Sequence, residues 1–129
     1  MLAQNFKSAG DLGIEEHVRS ALAKVLVLLE TEAILREQFM MDFWPVFGTP
    51  CWSGGCIGAW AEKVGGFEIE NADFLHEDRS DLYNLFFLDE RDGARSPYKA
   101  TPAEGARALR NYLTTGKASW PDVMGRARA

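Results

Sequence analysis

With 129 residues, 47% hydrophobic and 26% charged, the chain has the composition of one folded domain with a single hydrophobic core, and it is too short for two comfortable ones. Four Trp and eight Phe exclude a wholly disordered chain, and no stretch approaches the run of about eighteen apolar residues that crosses a bilayer. Net charge is −5, divided as −3 over residues 1–66, −6 over 67–95 and +4 over 96–129, and the acidic middle argues against a general nucleic-acid surface, which needs a basic face to release counterions.

The N-terminus, Met1-Leu-Ala-Gln-Asn-Phe-Lys, lacks the basic region, apolar core and cleavage site of a signal peptide. The expectation is a cytoplasmic protein without a membrane partner, forming one domain over 1–129 with a frayed basic tail from about residue 122. The first strong pattern runs from Leu12 to Glu32. Ile14, Val18, Leu22, Val25, Leu26 and Leu29 recur at three- and four-residue steps with Glu15, Glu16, Arg19 and Lys24 between them, which predicts an amphipathic helix with Asp11 as its N-cap. Val27 and Leu28 widen the stripe near its end, so that end is expected in the core or against a second subunit. His17 falls on the polar side and is assigned no chemistry. Ala9-Gly-Asp-Leu-Gly13 before a helix has the look of a helix-turn-helix start, but no second short helix with a basic face follows.

Residues 33–50 form a nearly continuous apolar and aromatic run, Phe39, Met40, Met41, Phe43, Trp44, Val46 and Phe47, broken by Pro45 and Pro50. Such a run is either extended or irregular chain laid across the core. Both cysteines then fall within Cys51-Trp-Ser-Gly-Gly-Cys56. Gly54 and Gly55 permit a tight turn, and the apolar segment after them predicts a short helix from Cys56 to Val64. Its apolar side is Ile57, Trp60, Ala61 and Val64, its polar side is Glu62 and Lys63, and Gly65-Gly66 stops it. Two readings of this element stand side by side. At a helix N-terminus Cys56 is placed to become a thiolate, with Cys51 as resolving partner in a thiol redox pair. Alternatively both are ordinary buried core thiols.

Between Phe67 and Asp92 the carboxylates crowd, with His76 among them, but they lack the alternation of a calcium loop. Asp78, Ser80 and Asp81 read instead as capping and first-turn residues of a helix through Leu82, Leu85, Phe86 and Leu88. A zinc site built from Cys51, Cys56, His17 and His76 lacks ligand spacing. No metal and no cofactor is expected. Thr101-Pro-Ala-Glu104 is the clearest boundary in the chain: Thr caps, Pro is favoured at the first helical position, and Glu104 can return to the cap amide. The helix it opens buries Ala103, Ala106, Leu109, Tyr112 and Leu113, exposes Arg107 and Arg110, and ends at Gly116. Trp120 is expected to tuck back onto the body. The predicted fold is all-α, a bundle of about four to five helices, with a short strand pair around 39–47 and 67–70 left open.

The order of an N-terminal helix, the element Cys51-x4-Cys56-Ile57-x-Ala59-Trp60-Ala61, the Leu82 to Leu88 helix and the helix from Thr101 to Gly116 resembles a group of small bacterial and phage proteins without an assigned activity. That group more often has Gly directly after the first Cys, where this chain has Trp52. The resemblance implies no activity, substrate or cofactor. Cys51-x4-Cys56-Ile57 also matches the spacing of the redox pair in flavin disulfide reductases, but those are longer enzymes with a dinucleotide fold, and no G-x-G-x-x-G occurs here. Nucleophile-elbow and phosphate-loop patterns are equally missing from the sequence. The expected function is therefore that of a non-enzymatic interaction or accessory protein, as a homodimer or with a protein partner. The alternatives are the Cys51/Cys56 redox protein and a small-ligand or metal-binding protein.

Overall fold

In the computed structural model, which describes residues 6–40, 54–67, 69, 85, 100–120 and 123, the periodic apolar stripe of the N-terminal third forms helix α2, Glu16–Glu30. One face of α2 buries Val18, Ala21, Leu22, Val25, Leu26 and Leu29. Against that face pack α3, Ile57–Gly65, and α4, Pro102–Thr115. A four-residue helix α1, Ala9–Leu12, precedes α2, and a single 3-10 turn spans Arg36–Gln38. The protein is all-α, and among the described residues there is no strand.

The start of the first helix differs from the sequence expectation. Ser8, not Asp11, is the first N-cap: its hydroxyl accepts the Asp11 N–H at 3.1 Å, so Asp11 lies inside α1. Gly13 then closes α1 in the left-handed region, φ 70°, and the chain re-enters helix from Glu15. A periodic pattern does not reveal such a break, because Leu12 and Ile14 remain half-buried against the same core. At the far end α2 closes in a Schellman arrangement, with the Ala33 amide on the Leu28 carbonyl at 2.9 Å and the Glu32 amide on that of Leu29 at 3.3 Å. The left-handed position, usually glycine, is Glu32 at φ 61°. Val27 at that end is 43% exposed.

Helix α4 begins as the sequence indicates. Thr101 Oγ1 accepts the Glu104 N–H at 3.2 Å, and Glu104 Oε1 accepts the Thr101 N–H at 2.9 Å. Its buried face is Gly105, Ala106, Ala108, Leu109, Tyr112 and Leu113. Ala103, expected in that face, is exposed, because the helical turn places it on the opposite side, with Arg107 and Arg110. Arg110 and Glu30 tie α4 to the end of α2 through three contacts of 2.6–2.8 Å. The chain before α1 is fastened to the same two helices, with Lys7 N–H on the Leu113 carbonyl at 2.7 Å and Arg19 Nε on the Lys7 carbonyl at 2.6 Å.

The chain between the helices is fixed by short backbone pairings. Phe39 forms an isolated parallel bridge with Gly55: the Gly55 amide donates to the Gln38 carbonyl at 3.1 Å and the Met40 amide to the Gly55 carbonyl at 3.0 Å. Trp60 Nε1 donates to the same Gln38 carbonyl at 3.0 Å. Gly54, at φ 149°, lets the two strands of backbone approach, since a Cβ there would overlap the main chain of Gln38. Residue 39, where a strand pair with 67–70 is left open by the sequence, is bridged instead to Gly55. Phe67 and Ile69 are in no strand, while 41–47, 68 and 70 lie outside the described residues. Near the C-terminus Trp120 is buried and its Nε1 donates to the Leu85 carbonyl at 3.3 Å. Leu85 is helical and buried, and the remainder of the expected 82–88 helix lies outside the described residues. Val123 is also in the core, and the remainder of the expected tail lies outside the described residues.

Leu109 is fully buried on α4. Leu109→Ala is expected to cost about 2–4 kcal/mol in denaturant melts, and a loss below about 0.5 kcal/mol would mean that α4 is a surface helix.

Candidate functional site

The sequence points first to the cysteines. Cys56 is the N-cap of α3 with an extended backbone, φ −80° and ψ 179°, as the glycine turn before it suggests. Its side chain, however, faces inward and is only 2% exposed, in the core with Ile57, Ala59 and Ala61. Burial pushes the thiol up from an ordinary 9.0 to about 12. The amides of Ala59, Gly58 and Cys56 itself lower it by less, and the nearby Glu62 carboxylate raises it further. The magnitudes decide the outcome. A helix N-terminus stabilises an anion by roughly 0.3–1 kcal/mol, whereas a rise of this size corresponds to about 4 kcal/mol against the thiolate. At neutral pH Cys56 is a protonated, covered thiol. Cys51, Trp44 and Trp52 lie outside the described residues, so the proposed redox partner and two of the three tryptophans near it have no described position.

Glu62 is the residue the sequence misplaces. Read as part of the wet side of α3, it is 3% exposed, and its Oε2 accepts the Ile69 N–H at 2.6 Å. The cause is the turn after α3: Gly66 is left-handed at φ 73°, and Phe67 and Ile69 fold back over the helix, bringing a buried amide that needs an acceptor. Apolar Phe67 and Ile69 after a glycine pair were the available signal. His17 is exposed, as expected, 3.5 Å from the Glu15 carboxylate and edge-on to the Phe67 ring with centroids 4.5 Å apart. Among the described residues no three His, Cys, Asp or Glu side chains cluster as metal ligands. His76, Asp78 and Asp81 lie outside them.

A second feature was not legible as a site. Where the end of α2, the turn through Leu35 and the start of α4 converge, an open groove of about 720 Å³ remains. Leu29 and Ile34 are buried beneath it, Pro102 and Ala106 form the α4 wall, and Leu35 stands in it 51% exposed. Three guanidinium groups border it, from Arg36, Arg107 and Arg110. Arg110 is committed to Glu30 and lies over the Phe6 ring, 5.9 Å from its centroid. Arg36 and Arg107 form no ion pair among the described residues, and Glu32 is the other carboxylate on the rim. Only the tertiary fold brings 29–36 and 101–110 together.

Comparison with models of known protein families, with curated proteins and with solved structures finds no match to this chain.

The burial of Cys56 makes two linked expectations. In a Cys51→Ser background, a thiol reagent should label native protein at least about a hundredfold more slowly than a free cysteine, with the rate rising as the fold opens. Because the folded thiol binds its proton more tightly than the unfolded one, its contribution to stability is complete below about pH 9 and is lost as pH rises toward about 12. Cys56→Ala should flatten that alkaline decline. Rapid labelling of native protein would contradict the buried thiol.

Proposed function

We propose that the protein is a small, non-enzymatic helical interaction protein, of bacterial or phage origin and cytoplasmic, that works by docking a protein partner. The observation that carries this reading is the open groove with its half-exposed Leu35, an apolar surface left uncovered by a fold that otherwise buries Leu29, Ile34 and Leu109 completely or nearly so. The resemblance of its sequence elements to small bacterial and phage proteins is the basis for the origin proposed. No described helix is long and apolar enough to cross a membrane. The excess of carboxylates over the whole chain disfavours a nucleic-acid partner.

The thiol redox reading has less support, since a redox cysteine needs an accessible, acidic thiol and Cys56 offers neither. A small-ligand reading has less support, since the groove is half-open, whereas ligand cavities enclose most of the molecule they hold. The direct test is the native state of the protein in its host. Gel filtration of gently lysed cells should place it well above its own 14.4 kDa, with a second protein at fixed stoichiometry. Elution as a free 14.4 kDa chain at its natural concentration would overturn the interaction reading.

A further inference from the structure

We infer that the groove between the end of α2 and the start of α4 binds an acidic peptide segment of a partner protein, seating an apolar side chain beside Leu35 and pairing carboxylates with Arg36 and Arg107. This deepens the interaction reading above and rests on it. The chain as a whole carries −5, yet the groove presents three arginines against two glutamates. Of these, Arg110 and Glu30 neutralise each other at 2.6 Å, which leaves Arg36 and Arg107 facing one carboxylate, Glu32. Arginine at such a rim selects planar anions, because its fork of donors matches a carboxylate in two parallel hydrogen bonds.

The floor adds the second requirement. A half-exposed leucine over buried Ile34 and Leu29 gives an apolar side chain a place to lose its water. A purely ionic ligand leaves that surface wet, and a purely apolar one leaves two guanidinium groups to be partly desolvated without a counter-charge. An acidic segment with an apolar residue satisfies both. The wall made by Thr101, Pro102 and Ala103 is also the N-terminal end of α4, the positive end of its dipole, which acts in the same direction.

The test is a displayed library of random peptides of about twelve residues selected on the full-length protein, followed by polarisation titrations with the enriched peptides. The expected peptides carry Asp or Glu beside Leu, Phe or Trp. Arg36→Glu with Arg107→Glu should weaken them at least about tenfold, and Leu35→Asp by a similar factor, with thermal melts unchanged because all three side chains are at the surface. Peptides resynthesised with Lys in place of the acids should regain affinity for the charge-reversed protein, a rescue that general disruption of the groove would not give. Enrichment of peptides without acids, or of peptides bound equally by wild type and both variants, overturns the proposal while leaving the interaction reading standing. Failure to enrich any peptide, or self-association of the wild type that Leu35→Asp abolishes, overturns it as well. The native-complex measurement decides the interaction reading independently of either result.

Discussion

The seat of the Phe39 ring on Gly105 joins the chain between α2 and α3 to α4. Phe39 is buried, and a Cβ on Gly105 would penetrate its ring. The missing side chain on α4 is therefore a notch that the aromatic ring fills. Phe39 lies in the segment that pairs with Gly55, and the preceding residue, Gln38, accepts hydrogen bonds from both Gly55 and Trp60. One ring thus holds the 35–40 segment against α4 while its backbone holds the start of α3. The groove depends on the same contact, because Leu35 and Arg36 are carried on that segment and face the wall of α4.

Helix α2 supplies the remaining support, with α3 and α4 both packed on its buried face. Gly58, Ala59 and Ala61 are small residues buried where α3 packs on α2, and the Cys56 sulfur is buried in the same core. Two consequences of packing, a silenced thiol and an uncovered groove, point the same way. The thiol is sealed inside, and the proposed recognition surface is the part left accessible.

Local signals specify the elements whose logic is local. The Thr101 capping box, Gly116, the Cys56 start of α3 and the α2 stripe all depend on residues within a turn or two of one another, and all are in the structure. The break at Gly13 was hidden because both sides of it share one apolar face. Glu62 was misplaced because its partner, the Ile69 amide, arrives only when the chain reverses at Gly66. The groove was invisible for a stronger reason: its two walls are separated by more than sixty residues of sequence, and neither wall has a motif of its own. Gly105 gave no warning either. In an isolated helix a glycine is merely a weak point, and nothing in the helix pattern says that a ring from residue 39 occupies the space.

That last point provides the most direct measurement of the account. Gly105→Ala, Phe39→Leu and the double variant should be compared by denaturant unfolding. If the ring fills the notch, Gly105→Ala destabilises by about 1–3 kcal/mol despite the better helix propensity of alanine, and Phe39→Leu recovers part of that loss, a coupling of about 1 kcal/mol or more. If Gly105→Ala instead stabilises by the roughly 1 kcal/mol expected of an unobstructed helix position, and the two changes simply add, the contact is not there and the account fails.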